Sequence, residues 1–253
     1  MADRDTLISH LDETLDSGAF ADYGPNGLQV PGSRQVSTIA TGVSAGLELF
    51  ERAKDEGAEM ILVHHGLFWG GQPQALTATM AARLKGLLSD DVSLAAYHLP
   101  LDAHAWLGNN ALLADTLGVA DRRPLGETKG RPIGLHGRLG HDGIPLDELV
   151  ERVRSATGND PLVFAEGPEV VRTIGIVTGG GARMVSDAIA LGLDAFLTGE
   201  PTESVMTEAR DAGIHFIAAG HYATETFGVR ALGDLLAERF DVRHVFIDIP
   251  NPV

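Results

Sequence analysis

The chain has 253 residues, enough for one large domain or two of ordinary size, and its 44% hydrophobic content supports proper cores. Thirty-five acidic against nineteen basic residues give a formal charge of -16, which argues against coating a nucleic-acid backbone or an anionic membrane. Cysteine is absent, so disulfides, thiolate zinc sites and iron-sulfur clusters are excluded, and any metal must be held by His and carboxylate.

The first residues, Met1-Ala2-Asp3-Arg4-Asp5, carry charge and no apolar leader, and no apolar run approaches the roughly twenty residues needed to span a bilayer. A cytoplasmic protein is expected. Only three lysines occur, Lys54, Lys85 and Lys129, a bias shared by proteins adapted to high salt and by proteins that are simply acidic.

Leu7, Ile8, Leu11 and Leu15 recur at helical spacing over about Asp5 to Leu15, with Gly18 placed to end the turn. After the turn-rich Tyr23-Gly24-Pro25-Asn26-Gly27, the run Val36 to Val43 predicts a strand, Ala45 to Glu56 a helix closed by Gly57, and Met60 to Val63 a buried strand. Ala78 to Leu88 reads as a helix and Val92 to Tyr97 as a strand. Arg131 to Leu139 predicts a strand, Leu146 to Ser155 an amphipathic helix and Leu162 to Ala165 a further strand.

A second βαβ pattern follows the first at an offset of 135 residues: Val36-Ser-Thr-Ile39 aligns with Val171-Arg-Thr-Ile174, Gly46 with Gly181, Ala53 with Ala188, Gly57 with Gly192 and Leu62 with Leu197. A helix over Glu203 to Ala212 and a strand over Ile214 to Ala219 complete it. The expected architecture is therefore two similar three-layer α/β domains from an internal duplication, residues 1-125 and 126-253. The boundary is placed at the polar stretches Asp121-Arg-Arg-Pro124 and Glu127-Thr-Lys-Gly130. The strand Val242 to Ile249 can return to either sheet, and the C-terminal helix and strand are expected to be able to pack back on the first domain.

Ligands of open α/β sheets collect at the carboxyl ends of the strands, and the chemistry-bearing residues of this chain fall there. His64 and His65 follow Val63, His98 and Asp102 follow Tyr97, and His221 and Glu225 follow Ala219. The last two pairs share a His-x-x-x-acid spacing. In a helix that spacing sets His221 and Glu225 on one face, about one 5.4 Å turn apart, whereas Pro100 makes residues 98-102 read as an irregular loop. Neighbours such as His64 and His65 point to opposite sides of a strand, unless a turn beyond the strand end redirects them. Singly, His98, His104 or His215 also reads as a hydrogen-bonded structural residue, but the whole constellation points to a metal centre. Two further features keep two readings each. Gly179-Gly180-Gly181 is an anion-binding loop or only a tight βα turn, and Glu200, aligned with His65, assists the site or caps a helix.

Taken together, Gly27-Leu28-Gln29-Val30, Val63-His-His-Gly-Leu-Phe-Trp69, Tyr97-His-Leu-Pro-Leu-Asp-Ala-His104 with Gly108-Asn-Asn110, Thr198-Gly-Glu200 and Gly220-His-Tyr-Ala-Thr-Glu225 resemble the Nif-three-like family, whose members are also labelled GTP cyclohydrolase I type 2 homologues. The resemblance runs from near the N-terminus to the last helix. It implies two similar α/β domains, a toroidal homohexamer and a dinuclear metal centre between the domains, facing an internal cavity. The implied metal positions are His64, His65, Asp102, His221 and Glu225, with His98 and Glu200 as neighbours of the site. The domain that some relatives insert between the halves is missing.

Mixed N/O ligands suit two divalent ions, Zn, Fe or Mn. Three imidazoles and two carboxylates leave open positions for water, whose pKa such ions lower to about 7. The expected chemistry is hydrolysis of a nucleotide or other small molecule, the opening of the GTP imidazole ring being one example. No catalytic residue is assigned beyond the neighbours His98 and Glu200. The other reading is a non-catalytic metal-binding assembly with a regulatory, storage or chaperone-like role.

Overall fold

The computed structural model describes residues 1-72 and 75-253 and shows a mixed α/β protein. The chain packs as two units, residues 1-101 with 228-249, and residues 102-227 with 250-253.

In the first unit β1 (Ala2-Asp3) leads into α1 (Arg4-Leu15), capped by the Asp3 carboxylate, which accepts from Thr6 N at 3.1 Å. Leu7, Leu11 and Leu15 form its buried stripe. The helix ends at Asp16, in the left-handed region at φ 49°, rather than at Gly18, which lies in the 3-10 turn Ser17-Ala19. Next come β2 (Gly27-Val30), β3 (Gln35-Val36), β4 (Thr38-Ser44), α2 (Leu47-Asp55), β5 (Met60-His65), α3 (Ala78-Ser89) and β6 (Ser93-Ala96). Strands β4, β5 and β6 are parallel neighbours, β2 runs antiparallel to β6, and β3 pairs with β1. Residues 38-43 and 60-64 are buried without alternation, as in a parallel sheet covered on both faces.

Helix α4 (Leu99-Asp102) spans the junction, and the second unit continues with α5 (Asn109-Leu117), β7 (Val119-Thr128), β8 (Arg131-Leu139), β9 (Ile144-Pro145), α6 (Leu146-Thr157), β10 (Leu162-Phe164), β11 (Val170-Val171), β12 (Thr173-Val177), α7 (Val185-Ala190), β13 (Ala195-Thr198), α8 (Val205-Ala212), β14 (His215-Ala218) and α9 (His221-Thr224), before α10 (Thr226-Phe240) returns the chain to the first unit. The sheet order is β10-β14-β13-β12-β8-β7, with β12, β13 and β14 parallel and the rest antiparallel. Ile174, Ile176, Leu197 and Ile217 pack in one core with Leu113, Leu117, Leu149 and Val153 of α5 and α6. Val177, Phe196 and Phe216 pack in another with Val185, Ala188 and Ala209 of α7 and α8. This unit is thus three-layered. Beyond α10, β15 (Arg243-Phe246) adds to the first unit's sheet, parallel to β4.

The units part at Leu101-Asp102, not in the polar stretch 121-130. That stretch is β7 and the start of its hairpin with β8. Its charges and Pro124 read as linker, but β7 is an edge strand, where a missing N-H and a charged face are tolerated.

One device recurs. Glu59 accepts from Ser37 N, Ser37 Oγ and Thr38 N at 2.8-3.1 Å. Asp194, 135 residues later, accepts from Arg172 N, Thr173 N and Thr173 Oγ1 at 2.8-3.0 Å. In each unit a carboxylate before the second parallel strand pins the start of the first. Among the described residues no helix is long and apolar enough to cross a membrane.

Candidate metal centre

Strand β5 runs through both of its histidines instead of ending before them, and β4 pairs with it as far as Ser44 opposite His65. Alternation sends their Cβ atoms to opposite sides, yet the two imidazole centroids lie only 4.8 Å apart, and His98 lies 5.0 and 5.5 Å from them. One coordinating atom from each of the three rings falls within 4.8 Å of the others.

Each ring is oriented through Nδ1. The fully buried His64 donates to the Tyr97 carbonyl at 2.9 Å, His65 Nδ1 is 3.1 Å from Ser44 Oγ, and His98 donates to the Asp22 carboxylate at 2.7 Å. With Nδ1 engaged, Nε2 is the nitrogen each ring offers to a cation, and such partners are those that usually orient histidine ligands. The donor chemistry therefore fits a divalent transition metal.

Asp22 was not visible in the sequence as a functional residue. It accepts from Asn26 Nδ2 and Leu99 N, each at 2.9 Å, while Asn26 Oδ1 accepts from His98 N at 2.8 Å. Burial raises the Asp22 carboxyl, but the hydrogen bond and charge of His98, with Asn26 and the Tyr23 amide, outweigh it and hold the group below the ordinary aspartate value. The one available signal was the turn chemistry of residues 22-27, where Asp and Asn side chains hold backbone amides. Residues 99-102 form a helical turn rather than an irregular loop, because Pro100 sits where a helix needs no N-H. The Trp69 ring centroid lies 5.8 Å from that of His65 and 5.1 Å from that of His98.

In the second unit Asp102 and Glu225 are buried, and a carboxylate oxygen of one lies within 4.8 Å of one of the other. Asp102 accepts from Asn109 Nδ2 at 2.8 Å. Asn110 donates to the carbonyls of Asp102 and Ile133 and accepts from Thr178 N, tying α4 to the end of β12. His221 sits between two carboxylates, with Nε2 3.2 Å from Glu225 and Nδ1 3.3 Å from Glu200. Burial lowers its pKa, but Glu225 and then Glu200 more than reverse this and raise it to about 9. His221 and Glu225 do not lie on one continuous helix: α9 is a single turn, Glu225 follows it and α10 begins at Thr226. The His221-Glu225 contact survives the break.

The two readings of the glycine loop are resolved by its amides. Gly179 N donates to Thr224 Oγ1 and Gly181 N to Thr198 Oγ1, so these N-H groups face no anion. Gly179 has φ 66°, and a Cβ there would collide with the Glu225 carboxylate. The glycine lets backbone approach the acid.

A model of the family described as Duf34/NIF3 (NGG1p interacting factor 3) matches residues 2-252. A protein of Pseudomonas aeruginosa named GTP cyclohydrolase 1 type 2 homolog is 47% identical over 247 residues, 98% of this chain and 97% of that one. Among solved structures, protein ybgI, described as of unknown function, superposes with a TM-score of 0.92 at 43% identity, covering 100% of both chains. The protein TTHA1606 of Thermus thermophilus does so with a TM-score of 0.90 at 39% identity, again over 100% of both. The chain belongs to the DUF34/NIF3 family.

Proposed function

We propose that His64, His65, Asp102, His221 and Glu225 hold two divalent cations and that the protein is a metal-dependent hydrolase of a nucleotide or similar small molecule, as the name of its relatives suggests. The observation that carries the reading is the trio His64, His65 and His98, whose coordinating atoms converge while each Nδ1 has a partner. On this reading His98 is a ligand rather than only a neighbour. Divalent ions supply Lewis acidity, acidifying water and polarising the bond under attack.

The chain's own residues do the rest. Asp22, Ser44 and the Tyr97 carbonyl keep the rings in register, which avoids reorganisation when charge develops. Asp102 and Glu225 supply negative charge to offset the cations, with Asn109 fixing the first of them. Trp69, beside two of the imidazoles, shields them from solvent. Glu200, at His221 Nδ1, orients that ring and favours its protonated form.

The matching roles of Glu59 and Asp194 support descent of the two units from one duplicated βαβ module. A toroidal homohexamer is the assembly that the resemblance implies; its mass in solution is the check.

The test is elemental analysis of protein purified without added metal, together with a hydrolysis screen starting from GTP. Two ions per chain and turnover that collapses in His64→Ala are expected. Full activity in that variant would remove the assigned site from the chemistry.

A further inference from the structure

Two arginines and a histidine of the second unit, Arg123, Arg138 and His136, lie together on one face of its sheet. On β8, His136 and Arg138 are two residues apart and so share a face. Arg123 of β7 lies directly opposite His136, and Thr173 of β12 directly opposite Arg138, so all four residues lie on that same face. They line a cavity of about 530 Å³ with Leu193 and Asp121.

The charge in this cleft is not internally balanced. Elsewhere in the unit Arg122, Arg152, Arg154 and Arg210 each pair with a carboxylate. Among the described residues Arg123 and Arg138 have none within ion-pair distance, although the chain carries 35 acids. The nearby Asp194 spends its Oδ2 on Arg172 N, Thr173 N and Thr173 Oγ1. Arg123 and Arg138 are like charges on one face of neighbouring strands, diagonal to each other across His136, and with no carboxylate partner their repulsion is offset only by an anion from outside. The field is felt at His136, whose pKa burial and then the Arg123 guanidinium hold below the ordinary histidine value. A register shift between Ala120 and Arg123, with Asp121 at φ 53°, marks a β-bulge, the device that re-aims side chains beside functional sites.

We propose that this cleft binds an anion of the phosphate class, the phosphoryl group of a small molecule, through Arg123 and Arg138 with His136 between them. The site is separate from the metal centre. Thr173 opens β12 and Leu193 precedes β13, so the cleft lies at the amino ends of the parallel strands, whereas Gly179, Glu200 and His221 follow the carboxyl ends. The five residues of β12, four steps of roughly 3.3 Å, set those ends about 13 Å apart.

The experiment is calorimetric titration of the metal-loaded protein with inorganic phosphate at constant ionic strength, with chloride as control. Saturable binding is expected, weakened roughly tenfold or more by each of Arg123→Gln and Arg138→Gln and unchanged by Arg152→Gln. Both cleft arginines are exposed, so these variants keep the fold and its metal content. Phosphate binding undiminished in the Arg123→Gln, Arg138→Gln double variant overturns the proposal, as does its absence from the parent protein. In His64→Ala the binding persists, so failure of the hydrolase reading registers there as activity without moving this titration; loss of phosphate binding in His64→Ala, with retention in the double variant, would assign the anion to the metal centre and also overturn the proposal.

Discussion

At the carboxyl end of their first parallel strand the two units carry different residues for opposite reasons. The first unit has Ser44, whose hydroxyl faces His65 Nδ1. The second has Gly179, whose missing side chain leaves room for Glu225. One position adds an atom to orient an imidazole and the other removes atoms to admit a carboxylate. The same contrast runs through both clusters: the first unit offers imidazoles steered by neutral acceptors and one carboxylate, the second offers carboxylates around a single imidazole. The first unit's cluster is thus nitrogen-rich and the second unit's oxygen-rich.

The sharpest way to break the contrast is Gly179→Ala. A left-handed φ and a Cβ driven into the Glu225 carboxylate should cost about 2-4 kcal/mol, visible as a lower thermal midpoint together with reduced metal content. Ser44→Gly, the reverse exchange, should leave the midpoint within about 1 kcal/mol of the parent. Equal losses in the two variants would show that the two strand ends do the same job.

A smaller effect is expected from Asp22→Asn, which keeps the shape of the His98 clamp and removes its charge. Metal affinity should fall by roughly 10- to 100-fold, as for other partners behind histidine ligands, measured by competition with a chelator. An unchanged affinity would mean that His98 does not touch the metal.

The mildest test is acid-base. His221 has a folded-state pKa of about 9, above the 6.5 of the free side chain. Its contribution to the stability of metal-stripped protein is therefore complete below about pH 6.5 and lost as pH rises through about 9. Solvent reaches part of the ring and screens the effect. Urea titrations on either side of that window should show the decline, and Glu200→Gln should flatten it.

Much of the architecture was legible because it depends on local pattern. The 3.6-residue stripe of α1, the unbroken apolar runs of β4, β5 and β13, and the 135-residue recurrence are periodic features of the chain itself. The five candidate metal-binding residues were legible because each follows a buried strand. What escaped was non-local or chemically atypical: β7, hidden by charges that an edge strand tolerates, and Asp22, 76 residues from the ring it holds.

By itself the sequence determined which residue types stand at the strand ends, since hydrophobic periodicity sets where strands stop and the absence of cysteine leaves only nitrogen and oxygen donors. Only the tertiary structure decided which nitrogen each histidine offers and which glycine makes room for an acid. It also decided that His98 belongs with His64 and His65 and that two unpaired arginines share a cleft. Those outcomes depend on hydrogen bonds and cross-strand neighbours between segments far apart in the chain, and no local spacing encodes them.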